Sequence, residues 1–468
     1  MLRAQAWDVF RQLTGSYHPN RRMVVKFGLL LATATAGAVP LALVAQDNGA
    51  LGGKDEWLKQ VTAATAMAAA KADETKTAID NLQAVLDKGK WLQEAAGHAQ
   101  HQHQHQPGMG HSMPPAKAAP LKPAIIDGLA QLEIVASRVK GADMIERGWR
   151  NPESNAPDVV GAFRFHCAPS HLAYADPILY PGDRTGKSHL HLFFGNTKAD
   201  ADSTYESLRT TGDSTCMNEG NRSGYWQPAM LQTDAAGKDE VVMPERLNIY
   251  YKRRPSSDPH YTDPKRSPRN FPVHMPRGLR YVFGYPTSTP KFKCVKNDRN
   301  VTDWSEDMGE VLAQCPVGGY LDASINSPPC WDGKNLDSDD HRSHMAYPKR
   351  DASTDNKPRC PASHPYEMAT FTLQAMFEIL PKDRVKTWRF DSDAMLAPKL
   401  PRGSSFHADW FGAWEDSVAA TWQDWCIDRL LNCSAGALGN GTGLKSSKEY
   451  VRLKNLPSQR LPVPKVKS

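Results

Sequence analysis

Between Asp176 and Asn196 the chain reads DPILYPGDRTGKSHLHLFFGN, and its centre, His189-Leu190-His191-Leu192-Phe193, alternates polar and apolar residues between turn-forming segments. Alternation with period two is the pattern of a β-strand with one face in a core. Side chains at i and i+2 lie about 6–7 Å apart on one face of such a strand. The pattern therefore predicts that His189 and His191 point the same way, with Leu190 and Leu192 turned inward. Two imidazoles side by side can hold a metal ion or act on a substrate.

The rest of the chain beyond about residue 151 fits the same architecture. Short apolar runs alternate there with Pro, Gly, Asn and Asp. Phe163–His166, Leu247–Tyr251, Leu279–Phe283 and Met368–Ile379 read as further strands, and Ala413–Leu431 as a helix with Val418, Trp422, Trp425, Cys426 and Leu430 along one side. The predicted fold is mainly β (α+β): a loop-rich, disulfide-bonded, β-sandwich-like domain over 151–460, preceded by an N-terminal helical hairpin. The hairpin's first arm lies within 46–97, where Trp57, Val61, Ala64 and Ala68 have helical spacing. Its second, within 121–150, is a helix expected over Ala124–Lys140, with Ile125, Leu129, Leu132, Ala136 and Val139 on one side.

Cysteine usage and the N-terminus give an address. All eight cysteines fall between Cys167 and Cys433, and none forms a C-x-x-C pair, which argues for disulfides and against a zinc ribbon. Cys426 with Cys433, and Cys315 with Cys330, are each near enough in sequence to close a short loop. Residues 1–45 contain Asn20-Arg21-Arg22-Met23-Val24-Val25-Lys26 ahead of a weakly apolar run, the form of a twin-arginine signal or an uncleaved anchor. The bulk of the protein is therefore expected in the periplasm or secreted, touching a membrane only through that segment. A net charge of +6 with scattered basic residues gives no nucleic-acid stripe.

Residues 98–120 form a linker carrying His98, His101, His103, His105 and His111 with Met109 and Met113. Imidazole and thioether together suit copper. Within the β region, three further segments join the central strand as places for chemistry. PPCWDGKNLDSDDHRSHMAYP (Pro328–Pro348) offers Asp332, Asn335, Asp337, Asp339 and Asp340, oxygens suited to Ca²⁺, with His341 and His344 as further ligands; it lacks the register of an EF-hand. CPASHP spans Cys360–Pro365, and FHADWFGAW spans Phe406–Trp414, placing His407 and Asp409 at i and i+2. A histidine held by a carboxylate is a common general base or oriented metal ligand. The expected centre joins His189, His191, His344 and His407, either around a divalent ion (Cu, Zn or Ca) or as a metal-free acid/base site, with Asp176 and Asp409 as orienting or ionising partners. Trp226, Trp331 and Trp410 would give stacking surfaces for a glycan or related polymer. No serine-hydrolase elbow, phosphate-binding Gly-Lys loop, dinucleotide fingerprint or H-E-x-x-H occurs.

DPILYPG, SHLHLFFGN and the YW-x-P of Tyr225–Pro228, followed by CWDGKNLDSDDHRSHMAYP, CPASHP and FHADWFGAW, resemble the domain-of-unknown-function family nineteen-ninety-six of bacteria and fungi. The resemblance runs from about Phe165 to Cys433. Fungal members are often secreted and joined to carbohydrate-binding modules, which implies a glycan partner. They tend to read HADFLNGWD where this chain has His407–Trp414, so the family's asparagine is missing here. The expected function is an exported hydrolase or lyase of a polysaccharide; the alternative is a non-catalytic envelope module that binds glycan or a copper-like metal.

Overall fold

The computed structural model describes residues 124–126 and 128–466, apart from 351–355 and 397–399. The twin-arginine-like segment, the first arm of the expected hairpin and the His/Met tract with His101, His103, His105, Met109, His111 and Met113 lie outside the described residues.

The ten longer strands of the two main sheets, numbered in chain order, are β1 Gly161–Cys167, β2 Pro169–Ala173, β3 His191–Gly195, β4 Gly224–Pro228, β5 Arg246–Arg253, β6 Arg280–Gly284, β7 Lys291–Lys296, β8 Tyr320–Asn326, β9 Thr370–Glu378 and β10 His407–Phe411. β7-β8-β9-β5-β1 form a seven-stranded sheet with two-residue edge strands at Arg299–Asn300 and Asn432–Cys433. β6-β10-β4-β3-β2 form a five-stranded sheet. The predicted strands are all present, and their alternation decides how the sheets meet. Tyr225, Trp410 and Tyr281 share one row across β4, β10 and β6. All three pack on Phe371 of β9, with ring centroids 5.3–6.4 Å apart. This is a β-sandwich with an aromatic core. A smaller four-stranded sheet carries its own cluster of Leu190, Ala229, Leu231 and Val241.

All eight cysteines are paired, as Cys167–Cys216, Cys294–Cys315, Cys330–Cys360 and Cys426–Cys433. The short Cys426–Cys433 loop is as expected. The Cys315–Cys330 loop is not: each residue crosses to a different segment. Four disulfides fit an oxidising compartment outside the cytoplasm. No described helix is long and apolar enough to cross a membrane.

Two expectations about helices change. The Ala124–Lys140 helix is instead a tight hairpin, Ala124–Ile126 against Leu129–Gln131, followed by extended chain. Tertiary hydrogen bonds override the helical spacing, Ala130 N–H donating to Gly333 O and Leu132 N–H to Arg277 O. The late helix is α1, Asp416–Trp422, which widens into a π-turn over Gln423–Ile427. The extra residue rotates the buried stripe to Val418, Trp422, Cys426 and Ile427, leaving Trp425 and Leu430 half-buried.

Candidate metal centre

Because Tyr225 and Trp410 face the core, the next residues along those strands face away from it. The outward face of the five-stranded sheet therefore carries Phe193, Trp226, Asp409 and Val282 in one row. His191 and Pro228 pair in the adjacent row, and His407 pairs with Gly284. This face is buried too, closed over by the 174–190 loop. Asp176 anchors the loop by accepting the Ile178 and Leu179 N–H groups on Oδ1, both at 2.9 Å. His189 is the residue before Leu190 at the mouth of β3, not a strand residue, yet its ring lies 4.2 Å from that of His191 and 5.0 Å from that of His407.

The tautomers follow from the hydrogen bonds. Nδ1 of His191 lies 3.0 Å from Ala175 O, and Nδ1 of His407 lies 2.8 Å from Ser405 O. A carbonyl only accepts, so both Nδ1 atoms carry the proton and both Nε2 atoms present a lone pair. Each Nε2 is 4.0 Å from Oδ2 of Asp409. Five buried atoms converge with no partner among the described residues: Nε2 of His189 and of His191, Oδ2 of Asp176, and both carboxylate oxygens of Asp409. His189, His191 and His407 form one group able to hold a metal ion, and Asp176, His191 and Asp409 form another that shares His191. Buried polar atoms are ordinarily partnered, so several left bare in one place call for water, an ion or a ligand. Around Zn²⁺, bonds of about 2.0–2.1 Å set ligand atoms roughly 3.4 Å apart, so ligand atoms that here lie within 4.8 Å of one another draw together on binding it.

Burial sets the protonation states. It lowers His189 to about 4 and His407 to about 3, and holds His191 well below the usual imidazole range, so all three are neutral ligands at pH 7. Burial raises Asp176, and raises Asp409 strongly with help from Asp176 beside it. Burial thus favours a proton on Asp409 that a bound cation must displace, while the imidazoles have none to lose. Metal affinity is expected to rise with pH, about tenfold per unit for each proton released. Calorimetry of Zn²⁺ binding in buffers of different ionisation enthalpy reads that release; a buffer-independent heat would contradict it.

The other expected site residues fall elsewhere. His344 is buried with both ring nitrogens occupied, Nδ1 by Ser338 Oγ at 2.8 Å and Nε2 by Arg280 O at 3.0 Å, which makes it a brace for the loop. The supposed calcium loop uses its oxygens internally. Asp332 caps Lys334 and Asn335, and Asp337 takes Arg280 and His341. Asp340 accepts from Arg342 and Ser343, and Asp339 is exposed. None of Asp337, Asp339, His341 or His344 belongs to a metal-holding group among the described residues. Trp226, Trp331 and Trp410 are at most 1 % exposed and cannot stack on a sugar. Trp226 lies on Phe193 at 5.3 Å, and Trp331 donates to Asn335 O.

One residue of the site went unnoticed in the sequence. Arg342, in the same DDHRSHM run, donates from Nη1 to Val282 O at 3.1 Å on the strand beside Asp409. Its charge acts on Asp409, Asp176 and His407, so a cation faces the two carboxyls.

These features define a disulfide-bonded β-sandwich with a buried His/Asp cluster on one outer sheet face. The chain belongs to the family described as Domain of unknown function (DUF1996), whose model matches residues 176–414. The matched span begins on Asp176 and contains His189, His191, Arg342, His407 and Asp409. No curated protein and no solved structure matches the chain.

Proposed function

We propose that this is an exported, metal-dependent enzyme that acts on a polysaccharide or related polymer by hydrolysis or elimination. What supports the reading most is the convergence of bare imidazole and carboxylate atoms, drawn from two distant segments, 176–191 and 407–409, in a site where His191 and His407 already hold the tautomer that coordination needs. His189, His191, His407 and Asp409 would hold the ion. Nitrogen-rich ligands favour Zn²⁺ or Cu²⁺ over Ca²⁺, which takes oxygen. A bound ion supplies Lewis acidity to a substrate oxygen. Asp176, with its carboxyl raised by burial, is placed to donate a proton to a leaving group. Arg342 balances charge that builds up beside Asp409. His189, only half-buried, stands on the solvent side of the cluster. Export is supported by the four disulfides, with the twin-arginine-like segment as the proposed route.

The burial of His191 and Asp409, both fully inaccessible, favours a second reading: a closed, non-catalytic metal site in an envelope module. The experiment is to load the full chain with Zn²⁺ or Cu²⁺ and incubate it with neutral and acidic polysaccharides. New reducing ends report hydrolysis, and unsaturated ends report elimination. The enzyme reading expects product that chelation abolishes and His191→Ala lacks. A folded, metal-loaded protein that yields no product from any polymer overturns it in favour of the closed module.

A further inference from the structure

The opposite side of the sandwich holds a second unexplained carboxylate. Asp322 lies on β8, on the outward face of the seven-stranded sheet. An outward sheet face is ordinarily polar, so polarity alone means little. Asp322 differs because it is only 3 % exposed and its Oδ1 has no partner among the described residues. Two cations flank it without bonding to it. Lys293 sits directly across on β7, but its Nζ lies over the Trp304 ring, 4.5 Å from the centroid. Arg246, beyond Met376, is engaged by Glu245 and Asn248. Burial pushes the Asp322 carboxyl up to about 6. A buried carboxylate oxygen left bare is costly unless something donates to it.

The surroundings narrow what that donor is. Asp322 lies in an open depression of about 410 Å³ floored by Asn248, Tyr250, Thr372 and Gln374. These are amide and hydroxyl groups on adjacent strands, about 4.8 Å apart, spaced to meet successive polar groups of an extended chain. Lys252 and Arg164 stand beside Tyr250, Arg164 with its guanidinium over the ring at 5.7 Å. A free cation is disfavoured by Lys293 and Arg246. A nucleic-acid backbone would bring a charged phosphate against Asp322 at every step. A chain dense in hydroxyls, with carboxylates at intervals, meets both demands: hydroxyls donate to Asp322 while carboxylates meet Lys252 and Arg164.

We propose that this face, centred on Asp322, binds an acidic, uronate-bearing polysaccharide, at a site separate from the metal cluster and independent of any reaction there. Affinity electrophoresis of the full chain through gels containing polygalacturonate, or the neutral hydroxyethyl cellulose, tests it. Retardation is expected in polygalacturonate and not in the neutral gel. Affinity is expected to fall at least about fivefold in Asp322→Ala and in Lys252→Ala, while both variants bind Zn²⁺ as the wild type does, which separates this site from the metal reading. Asp322→Ala makes the protein more positive, so mere charge attraction would be equal or stronger in that variant; that result, or no retardation of the wild type, overturns the proposal. Asp322→Asn preserves the shape, so if it too binds weakly while its circular dichroism matches wild type, misfolding is not the cause.

Discussion

Replacing His191 and His407 together with alanine is expected to weaken metal binding about a thousandfold. Even partners that only orient a ligand cost 10–100-fold when removed, and here two ligands are lost at once. The double variant leaves the His/Met tract intact, so any binding that survives measures the tract. Titration against a chromogenic chelator gives the affinities, and wild-type affinity in the double variant would place the metal elsewhere. The same change has a stability signature. An ion at about a hundred times its dissociation constant stabilises the native state by about 2.7 kcal/mol, and this increment should vanish with the two imidazoles.

Truncating Trp410 to alanine should destabilise the fold by about 3–5 kcal/mol, the usual cost of removing a large buried aromatic. Trp410 is wedged between Tyr281 at 5.5 Å and Phe371 at 5.3 Å. Its fit also explains Gly412: a Cβ there would come within 2.6 Å of the indole ring. The prediction separates a core tryptophan from a sugar platform. Urea unfolding should show the loss while any retardation in polygalacturonate gels matches that of the wild type. A loss below about 1 kcal/mol together with weakened glycan binding would restore the stacking role.

The parts of the site legible in the sequence were those written in local periodicity. His-x-His before Phe193 sets two candidate ligands side by side at the mouth of β3, His-x-Asp at His407–Asp409 sets two on one face of β10, and both pairs meet in space. That the two strands flank β4 within one sheet is tertiary information, and so is the position of Asp176 above them. His344 looked equivalent to the others by residue type; only its two hydrogen bonds show that it is structural. Arg342 was overlooked beside two histidines because its role depends on reaching Val282, sixty residues away in the chain. The oxygens that suggested calcium are used in turns, since Asp and Asn also cap them, as Asp332 and Asp340 do. The missing second helix had a local warning: Asp127-Gly128, a tight-hairpin dipeptide, sits between the paired Ile126 and Leu129. Proximity in sequence found the Cys426–Cys433 disulfide but not that of Cys330, whose partner Cys360 comes from a separate segment.

X-ray absorption at the metal edge, on the full chain and on the His191→Ala/His407→Ala variant, tests the central claim most directly. The wild type should hold one ion with a nitrogen and oxygen shell at about 2.0–2.1 Å that disappears in the variant. An unchanged spectrum in the variant, or a sulfur-containing shell from the methionine-bearing tract, would contradict the site.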